Sequence, residues 1–154
     1  MLLPNYKNLE ETDLMNLISD RHNDLRQKVE YLTAQQLPQV QFGSSEWYLI
    51  TIIKYDSPSL AELTQKINLT RQAIHKAVKQ LEQKQVVQIE HVPNNKKEKR
   101  VTLTQLGITC YEKYIENKQQ IIAHIAHVIG QSEVEQLHQL LQADWQLEHF
   151  KGDE

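Results

Sequence analysis

The sequence predicts a mainly α-helical fold that carries one small β-hairpin. The chain has only four Gly and four Pro in 154 residues, and its abundant Leu, Ile, Gln, Glu and Lys favour helices. Two short helical patterns, within residues 59–67 and 70–82, meet at a tight turn. Two alternating apolar and polar runs with a basic connection follow them. Together these patterns predict a winged helix-turn-helix core with long N- and C-terminal helices.

A long amphipathic helix is predicted near the N-terminus, after a tail at residues 1–8. Apolar residues recur between Leu9 and Leu32 with charged residues among them, and Pro38 and Gly43 mark the end of the helix. The helix-turn-helix offers too little surface to cover this apolar stripe. A partner subunit is therefore expected.

A second, shorter helix is predicted from Ser44, acting as its N-cap, to about Tyr55. The run from Trp47 to Ile53 is apolar around most of the helix circumference. This helix is therefore expected in the centre of the fold, where it supports the helix-turn-helix. Residues 56–58 end it.

The helix-turn-helix is marked by a cap and an apolar stripe on each helix. Ser59 and Glu62 form a capping box for the first helix, which ends near Asn68, and Thr70 caps the second. Leu69 is expected to fill the corner between them. The buried stripes are predicted at Leu60, Leu63 and Ile67 on the first helix and at Ile74, Val78 and Leu81 on the second.

The opposite face of the second helix carries only side chains that can donate hydrogen bonds. They fall together at about 100° per residue. They are Arg71, Gln72, His75, Lys76 and Lys79. In a major groove, Arg and Lys can reach guanine acceptors, Gln can pair with adenine, and the remaining cations meet phosphate. A solvated helix face is the alternative, but the hairpin that follows favours nucleic acid.

The hairpin is predicted from the alternation of apolar and polar residues in 86–92 and 100–104, joined by a polar loop at 93–99. Its cations are Lys96, Lys97, Lys99 and Arg100. At the tip of an exposed loop they suit a phosphate backbone or a minor groove. A solvated turn is the alternative.

Two helices are predicted after the hairpin. Thr104 caps the first, which covers residues 105–129 and ends at Gly130. A capping box at Ser132–Glu135 begins the last helix, which runs through Leu147. Neither helix has a domain of its own to cover, so a symmetric dimer is expected to bury their apolar stripes.

Charge is distributed unevenly along the chain. Residues 59–107 hold nine Lys or Arg and four Glu, a net charge of +5, whereas the whole chain carries −3, so the remainder carries −8. A basic module in an acidic frame is typical of a protein that touches nucleic acid with one face. A single cysteine, Cys110, excludes an internal disulfide, and no signal segment or long apolar span is present. A single-domain cytoplasmic protein is expected.

With these features the chain resembles the MarR family of transcriptional regulators. The resemblance lies in the helix pair Leu60–Leu81, its Leu81-Glu82 end, the Lys-rich wing and the segment Val101–Gly107, which is similar to the family's Leu-Thr-x-x-Gly signature. Element order is also similar over nearly the whole chain.

Two positions depart from the family's pattern. Asn95 and Lys97 stand where the family's wing usually has Asp-x-Arg, whose Asp braces the loop and whose Arg enters the minor groove. Gln85 stands where the recognition helix usually ends on Gly, a residue suited to positive φ. A slightly different helix ending is therefore expected here.

The resemblance implies a homodimer that binds double-stranded DNA. Residues 1–40 and 105–154 would supply dimerisation helices, and residues 41–104 would form the DNA-binding core. Two recognition helices about one DNA turn apart would meet a pseudo-palindromic operator. Such a protein would act as a repressor or an activator.

The resemblance further implies a small aromatic or anionic effector, held between the dimer helices and the core. The candidate lining residues are His22, Trp47, Tyr48, Tyr111 and Tyr114, with ordinary core packing as the alternative. Some family members sense zinc or peroxide, which makes His124 and His127 candidate ligands and Cys110 a candidate thiol sensor. No third metal ligand is visible in the sequence, and a lone helical cysteine is more typical of a core. No cofactor is expected.

Two alternatives to a ligand-responsive DNA-binding regulator stay open. The wing lysines could contact an acidic protein, in an interaction module that does not read DNA. A zinc- or thiol-responsive regulator of the same fold is the second. An enzyme is disfavoured, because the sequence has no Gly-rich phosphate loop, no nucleophile-elbow motif and no paired carboxylates in an apolar setting.

Overall fold

A computed structural model describes residues 13–152 of the chain. The described part is mainly α-helical with one antiparallel hairpin, as predicted. Its helices are α1 (Leu14–Gln36), α2 (Ser44–Asp56), α3 (Leu60–Lys66), α4 (Arg71–Gln83), α5 (Gln105–Ile129) and α6 (Gln131–Gln142), and its strands are β1 (Val87–Val92) and β2 (Asn95–Leu103). None of the helices described is long and apolar enough to cross a membrane.

The chain divides into two compact units, residues 1–117 and 118–154. The first unit contains α1 to α4, the hairpin and the first half of α5. The second contains the rest of α5, then α6 and a short 3-10 turn at Leu147–His149.

The core of the first unit is built around α2, as its apolar circumference predicts. Trp47, Leu49, Ile50 and Ile53 are each at most 3% exposed. The α4 stripe and the inner face of the hairpin are buried with them, and so are Leu63 and Ile67 of the predicted α3 stripe. Leu60, the third residue of that stripe, is only half-buried. The buried residues of those elements include Leu63, Ile74, Val78, Leu81, Val87 and Val101. Leu69 does not fill the predicted corner, because the tight turn in which its amide donates to Ile67 O at 2.8 Å leaves Leu69 46% exposed.

Three predicted helix caps are confirmed. The hydroxyls of Ser59, Thr70 and Thr104 each accept a hydrogen bond from the amide three residues further on, at 3.1 Å. Each bond satisfies a donor that the first turn of the helix leaves free. Local sequence therefore sets where α3, α4 and α5 begin.

The predicted start of α2 is wrong by one residue. Gly43 is the N-cap, and its amide donates to Glu46 Oε1 at 3.1 Å. Ser44 is the first helical residue, and its hydroxyl instead accepts a hydrogen bond from Arg26 Nη1 on α1. A tertiary contact thus takes the side chain that the sequence assigns to capping.

Of the long flanking helices, the first ends as predicted and the last does not. α1 ends at Gln36, just before Pro38, which agrees with the predicted end, while the predicted start at Leu9 and the tail at residues 1–8 lie outside the described residues. α6 follows Gly130 directly, so Ser132 lies inside the helix and its hydroxyl donates to Glu133 Oε2 at 2.9 Å. The last helix ends at Gln142 and does not run through Leu147.

The sequence predicts that α4 ends differently from the family's recognition helix, because Gln85 replaces Gly. That prediction is wrong. Gln85 adopts φ 62°, the left-handed conformation usually supplied by glycine. Its amide donates to Glu82 O at 2.9 Å, and the next amide, that of Val86, donates to Leu81 O at 3.2 Å. The helix therefore ends as glycine would end it, with a Gln held in the glycine conformation.

Candidate nucleic-acid interface

The outer face of α4 is turned to solvent by the burial of the opposite stripe. Arg71, Gln72, Lys76 and Lys79 are exposed, and His75 is half-buried. All of them line a shallow concavity of about 630 Å³ along the helix. The five polar donors predicted for one helix face therefore do share one surface.

A second groove joins this helix to the wing. It has a volume of about 630 Å³ and is lined from α4 by Arg71, His75 and Lys79 and from β2 by Lys97 and Lys99. The fold thus brings together two basic segments that lie about 20 residues apart in the sequence. We call this concavity, between α3, α4 and β2, the basic groove.

The hairpin is longer and its turn is tighter than predicted. Regular pairing runs from Val87 with Leu103 to His91 with Lys99, and the last pair is Val92 with Asn95. Residues 96–98 therefore form a bulge in β2. The predicted loop at 93–99 is wrong, since only residues 93–94 form the turn and the basic residues lie on the strand and its bulge.

Asn95 braces this bulge with both ends of its side chain. Its Oδ1 accepts a hydrogen bond from the Lys97 amide at 3.2 Å, and its Nδ2 donates to Glu98 Oε2 at 3.2 Å. Asn95 holds the position that is usually Asp in the resembled family. The amide keeps the acceptor of a carboxylate and adds a donor, which here binds a neighbouring acidic side chain.

Arg100 is separated from the lysines of the groove. Beyond the bulge, β2 alternates, so Lys99 shares a face with the buried Val101, whereas Arg100 lies on the other face, opposite Glu90. Arg100 is exposed but does not line the basic groove. The side chain of Lys96 lies outside the described residues.

The described cations of the basic groove form no ion pairs within the protein. Among the described side chains, the ion pairs are Lys66 with Asp56 and Lys84 with Glu46, each at 2.6 Å, and Lys113 with Glu116 at 3.2 Å. Asp56 raises the pKa of Lys66 through their hydrogen bond. The described cations of α4 and the wing form none, so their charge is available to a phosphate backbone.

Lys84 is basic but structural. Its ammonium also donates to Gln41 O at 2.7 Å and lies 5.2 Å from the centre of the Phe42 ring. It ties the end of α4 to the start of α2. The charge count of the sequence includes it with the cations of the interface, but its contacts assign it to the fold.

Sequence reasoning did not name several residues that line the basic groove, including three polar ones on α3 and the wing. Thr64 and Gln65 of α3 and Glu98 of the wing also line it. The α3 residues could have been found, because they are polar positions beside the apolar stripe of the helix that precedes α4. Glu98 could not, since a carboxylate within a basic segment gives no sign of the side to which it turns.

The candidate effector residues fall in two different environments. Trp47, Tyr111 and Tyr114 are at most 8% exposed, and Trp47 stacks on Tyr114 with ring centres 4.3 Å apart. His22 and Tyr48 are exposed. Burial raises the pKa of Tyr114, and burial together with a hydrogen bond to Tyr55 raises the pKa of Tyr111 to about 12. Core packing accounts for the three buried rings.

The candidate sensor residues fall in different environments. Cys110 is fully buried in α5, and burial raises the pKa of its thiol, which disfavours the reactive thiolate. His124 and His127 are exposed on α5. Within residues 13–152 no group of three or more His, Cys, Asp or Glu side chains is placed to hold a metal ion.

Comparison with known proteins first gives the class of domain. Residues 42–107 match the family model of the winged helix DNA-binding domain. This range covers α2 to the first turn of α5 and includes every residue of the basic groove. No curated protein sequence matches the chain. Residues 42–107 are therefore similar to a winged helix DNA-binding domain.

Solved structures then extend the similarity to the flanking helices. MarR from E. coli, in its apo form, has 21% sequence identity and a TM-score of 0.63, over 85% of this chain and 96% of that one. MepR, a transcription regulator of the Staphylococcus aureus multidrug efflux pump MepA, has 16% identity and a TM-score of 0.67, over 84% and 94%. A MepR mutant bound to an oligodeoxyribonucleotide has 16% identity and a TM-score of 0.60, over 85% and 94%. The fold of this chain is thus the MarR-type winged helix, as its sequence predicts.

Proposed function

We propose that this protein is a transcriptional regulator that binds double-stranded DNA in a sequence-specific manner. The observation that carries the proposal is the basic groove, in which cations of α4 and of the wing line one surface without internal ion pairs. Donor groups on α4 suit base edges in a major groove, and wing lysines suit phosphates. The similar solved structures are of regulators, which supports binding over catalysis.

The active species in this proposal is a homodimer. Apolar residues on α6 support it, since Leu137, Leu140 and Leu141 are each about half exposed. Exposed apolar rows of this kind mark interaction sites. A two-fold dimer would present two copies of α4 to a pseudo-palindromic operator. Residues 1–40 and 105–154 are the proposed dimerisation segments.

Response to a small aromatic or anionic effector is the third part of the proposal. It rests on the family resemblance, because the candidate rings are largely packed into the core. An effector would act by favouring one spacing of the two α4 helices over another, which changes operator affinity without contact to the bases. A regulator of this kind would work in the cytoplasm, as repressor or activator.

Selection from random duplexes, followed by sequencing, tests the proposal. An inverted repeat with half-sites about ten base pairs apart, bound more weakly as salt rises, is the expected result. Arg71→Ala should relax sequence preference, and Lys97→Ala should weaken binding to all duplexes. Lys54→Ala, which removes an exposed cation of α2, is the control and should change neither. Wild-type protein that enriches no sequence would instead favour the protein-interaction module.

A further inference from the structure

We infer that Glu98 is a specificity-determining residue of the basic groove. Its carboxylate lowers affinity for DNA in general. It lowers affinity less for duplexes that donate a hydrogen bond to it. The inference deepens the proposed function and rests on it. It concerns the one acidic side chain that lines the groove in the described part of the chain.

The position of Glu98 is set by the bulge in β2. The residue is half-buried and lines the same groove as Arg71, His75, Lys97 and Lys99. Any phosphate drawn into this groove by its cations also approaches this carboxylate. A negative charge at that place opposes the sequence-independent part of binding.

A hydrogen bond from the wing itself orients the Glu98 carboxylate. Asn95 Nδ2 donates to Glu98 Oε2 at 3.2 Å, and Asn95 is itself anchored by the Lys97 amide through its Oδ1. An Asp at this position could accept from the Lys97 amide but would repel Glu98. The amide of Asn95 therefore suits a wing that keeps a carboxylate at its bulge.

No described cation is paired with the carboxylate of Glu98, although five cations or potential cations line the same groove. Its second oxygen, Oε1, accepts no hydrogen bond from any described residue. That oxygen can accept one from a base amino group, which cytosine and adenine present in the major groove and guanine in the minor groove.

These features predict effects of different size on two kinds of duplex. With a random duplex, removal of the charge relieves repulsion, and Glu98→Gln should lower Kd about three- to tenfold at low salt. With the selected duplex the gain should be smaller, because an amide accepts the base hydrogen bond less strongly than a carboxylate. The ratio of non-specific to specific Kd should therefore fall.

The matched control is Glu90→Gln, which removes the same charge from the same hairpin. Glu90 is exposed on β1 and does not line the groove. Asn95→Asp is the second variant, because it keeps the acceptor for the Lys97 amide and replaces the donor to Glu98 with a second carboxylate. It should weaken binding to all duplexes. Circular dichroism and thermal unfolding of each variant establish that the fold is kept.

Fluorescence anisotropy with a random and a selected duplex, at two salt concentrations, decides the matter. A loss of specificity ratio in Glu98→Gln that is absent from Glu90→Gln supports the inference. Equal behaviour of the two variants, or weaker binding of both duplexes by Glu98→Gln, overturns it while the proposed function stands. Wild-type protein that binds neither duplex overturns the proposed function, and the inference with it.

Discussion

At the scale of single residues, Gly107 meets the hardest steric limit in the described chain. A β-carbon there would lie 2.0 Å from Val86 O, which also accepts the Thr104 amide at 3.0 Å. Val86 is fully buried, so neither backbone segment can retreat. The glycine of the Leu-Thr-x-x-Gly-like segment is therefore required by the close approach of α5 to the residue before β1.

Gly107→Ala is expected to lower the free energy of unfolding by about 2–4 kcal/mol, although Ala favours helices more than Gly does. Urea unfolding followed by circular dichroism measures the change. Gly43→Ala is the control, because its added carbon meets nothing nearer than 3.9 Å. It should cost about 1 kcal/mol or less. Equal losses in the two variants would contradict the steric explanation.

Gln85 stores strain that a substitution can release. Left-handed backbone costs about 1 kcal/mol for a residue with a β-carbon, partly offset because glycine loses more entropy on folding. Gln85→Gly should therefore stabilise the protein by about 0.5 kcal/mol or slightly more. Gln80→Gly, inside α4, should instead destabilise it by about 1 kcal/mol. Thermal unfolding shows whether each variant is more or less stable than the wild type. A loss of stability in Gln85→Gly would disprove the strain at this position.

At the scale of elements, α5 makes the first unit sensitive to alkaline pH. Burial raises the pKa of Tyr111 to about 12 and also raises that of Tyr114. Folding therefore favours the neutral form of both phenols. Their contribution to the free energy of unfolding is complete below about pH 10, the pKa of tyrosine in the unfolded chain. It is lost as pH rises through the folded values, because the unfolded chain then binds fewer protons.

Tyr111→Phe tests this pH dependence. Wild-type stability is expected to fall between about pH 10 and pH 12, and the variant should lose less over that window. Tyr48→Phe, at an exposed ring of α2, is the control and should follow the wild type. Urea midpoints measured at several pH values give the comparison. Parallel curves for Tyr111→Phe and wild type would remove Tyr111 as the cause.

Element boundaries could be predicted where the chemistry is local. Ser59, Thr70 and Thr104 cap their helices as the sequence predicts, since each hydroxyl needs only an amide three residues away. Ser44 does not cap α2, because Arg26 binds its hydroxyl. The same residue type thus plays a local role or a tertiary one, and only the packing of α1 against α2 distinguishes them.

A buried polar contact between α1 and α5 was likewise hidden from the sequence. Asn117 is 1% exposed, and its Nδ2 donates to Thr33 Oγ1 and Gln36 Oε1, each at 2.9 Å. These residues lie more than 80 positions apart along the chain. The sequence around each residue does not indicate this contact, because each one occupies an ordinary polar position of a helix.

At the scale of the whole molecule, the exposed apolar residues of α6 give the proposed homodimer its test. Leu141→Glu should shift the protein from dimer to monomer and weaken operator binding at least tenfold, because a charge within an apolar interface cannot keep its hydration. Gln139→Glu, on the opposite face of α6, is the control and should remain dimeric. Sedimentation velocity gives the mass. A monomeric wild type, or a dimeric Leu141→Glu variant, would contradict this role of α6.

The winged-helix architecture, the caps of three helices and the basic face of α4 could all be predicted from the sequence. These follow from periodicity, capping chemistry and charge, all of which act over a few neighbouring residues. Tertiary structure alone decided that Lys99 lines the basic groove and Arg100 does not, that Lys84 serves an ion pair, and that Glu98 lies among the cations. The physical reason is that strand register, bulges and packing partners depend on distant residues, which no local pattern records.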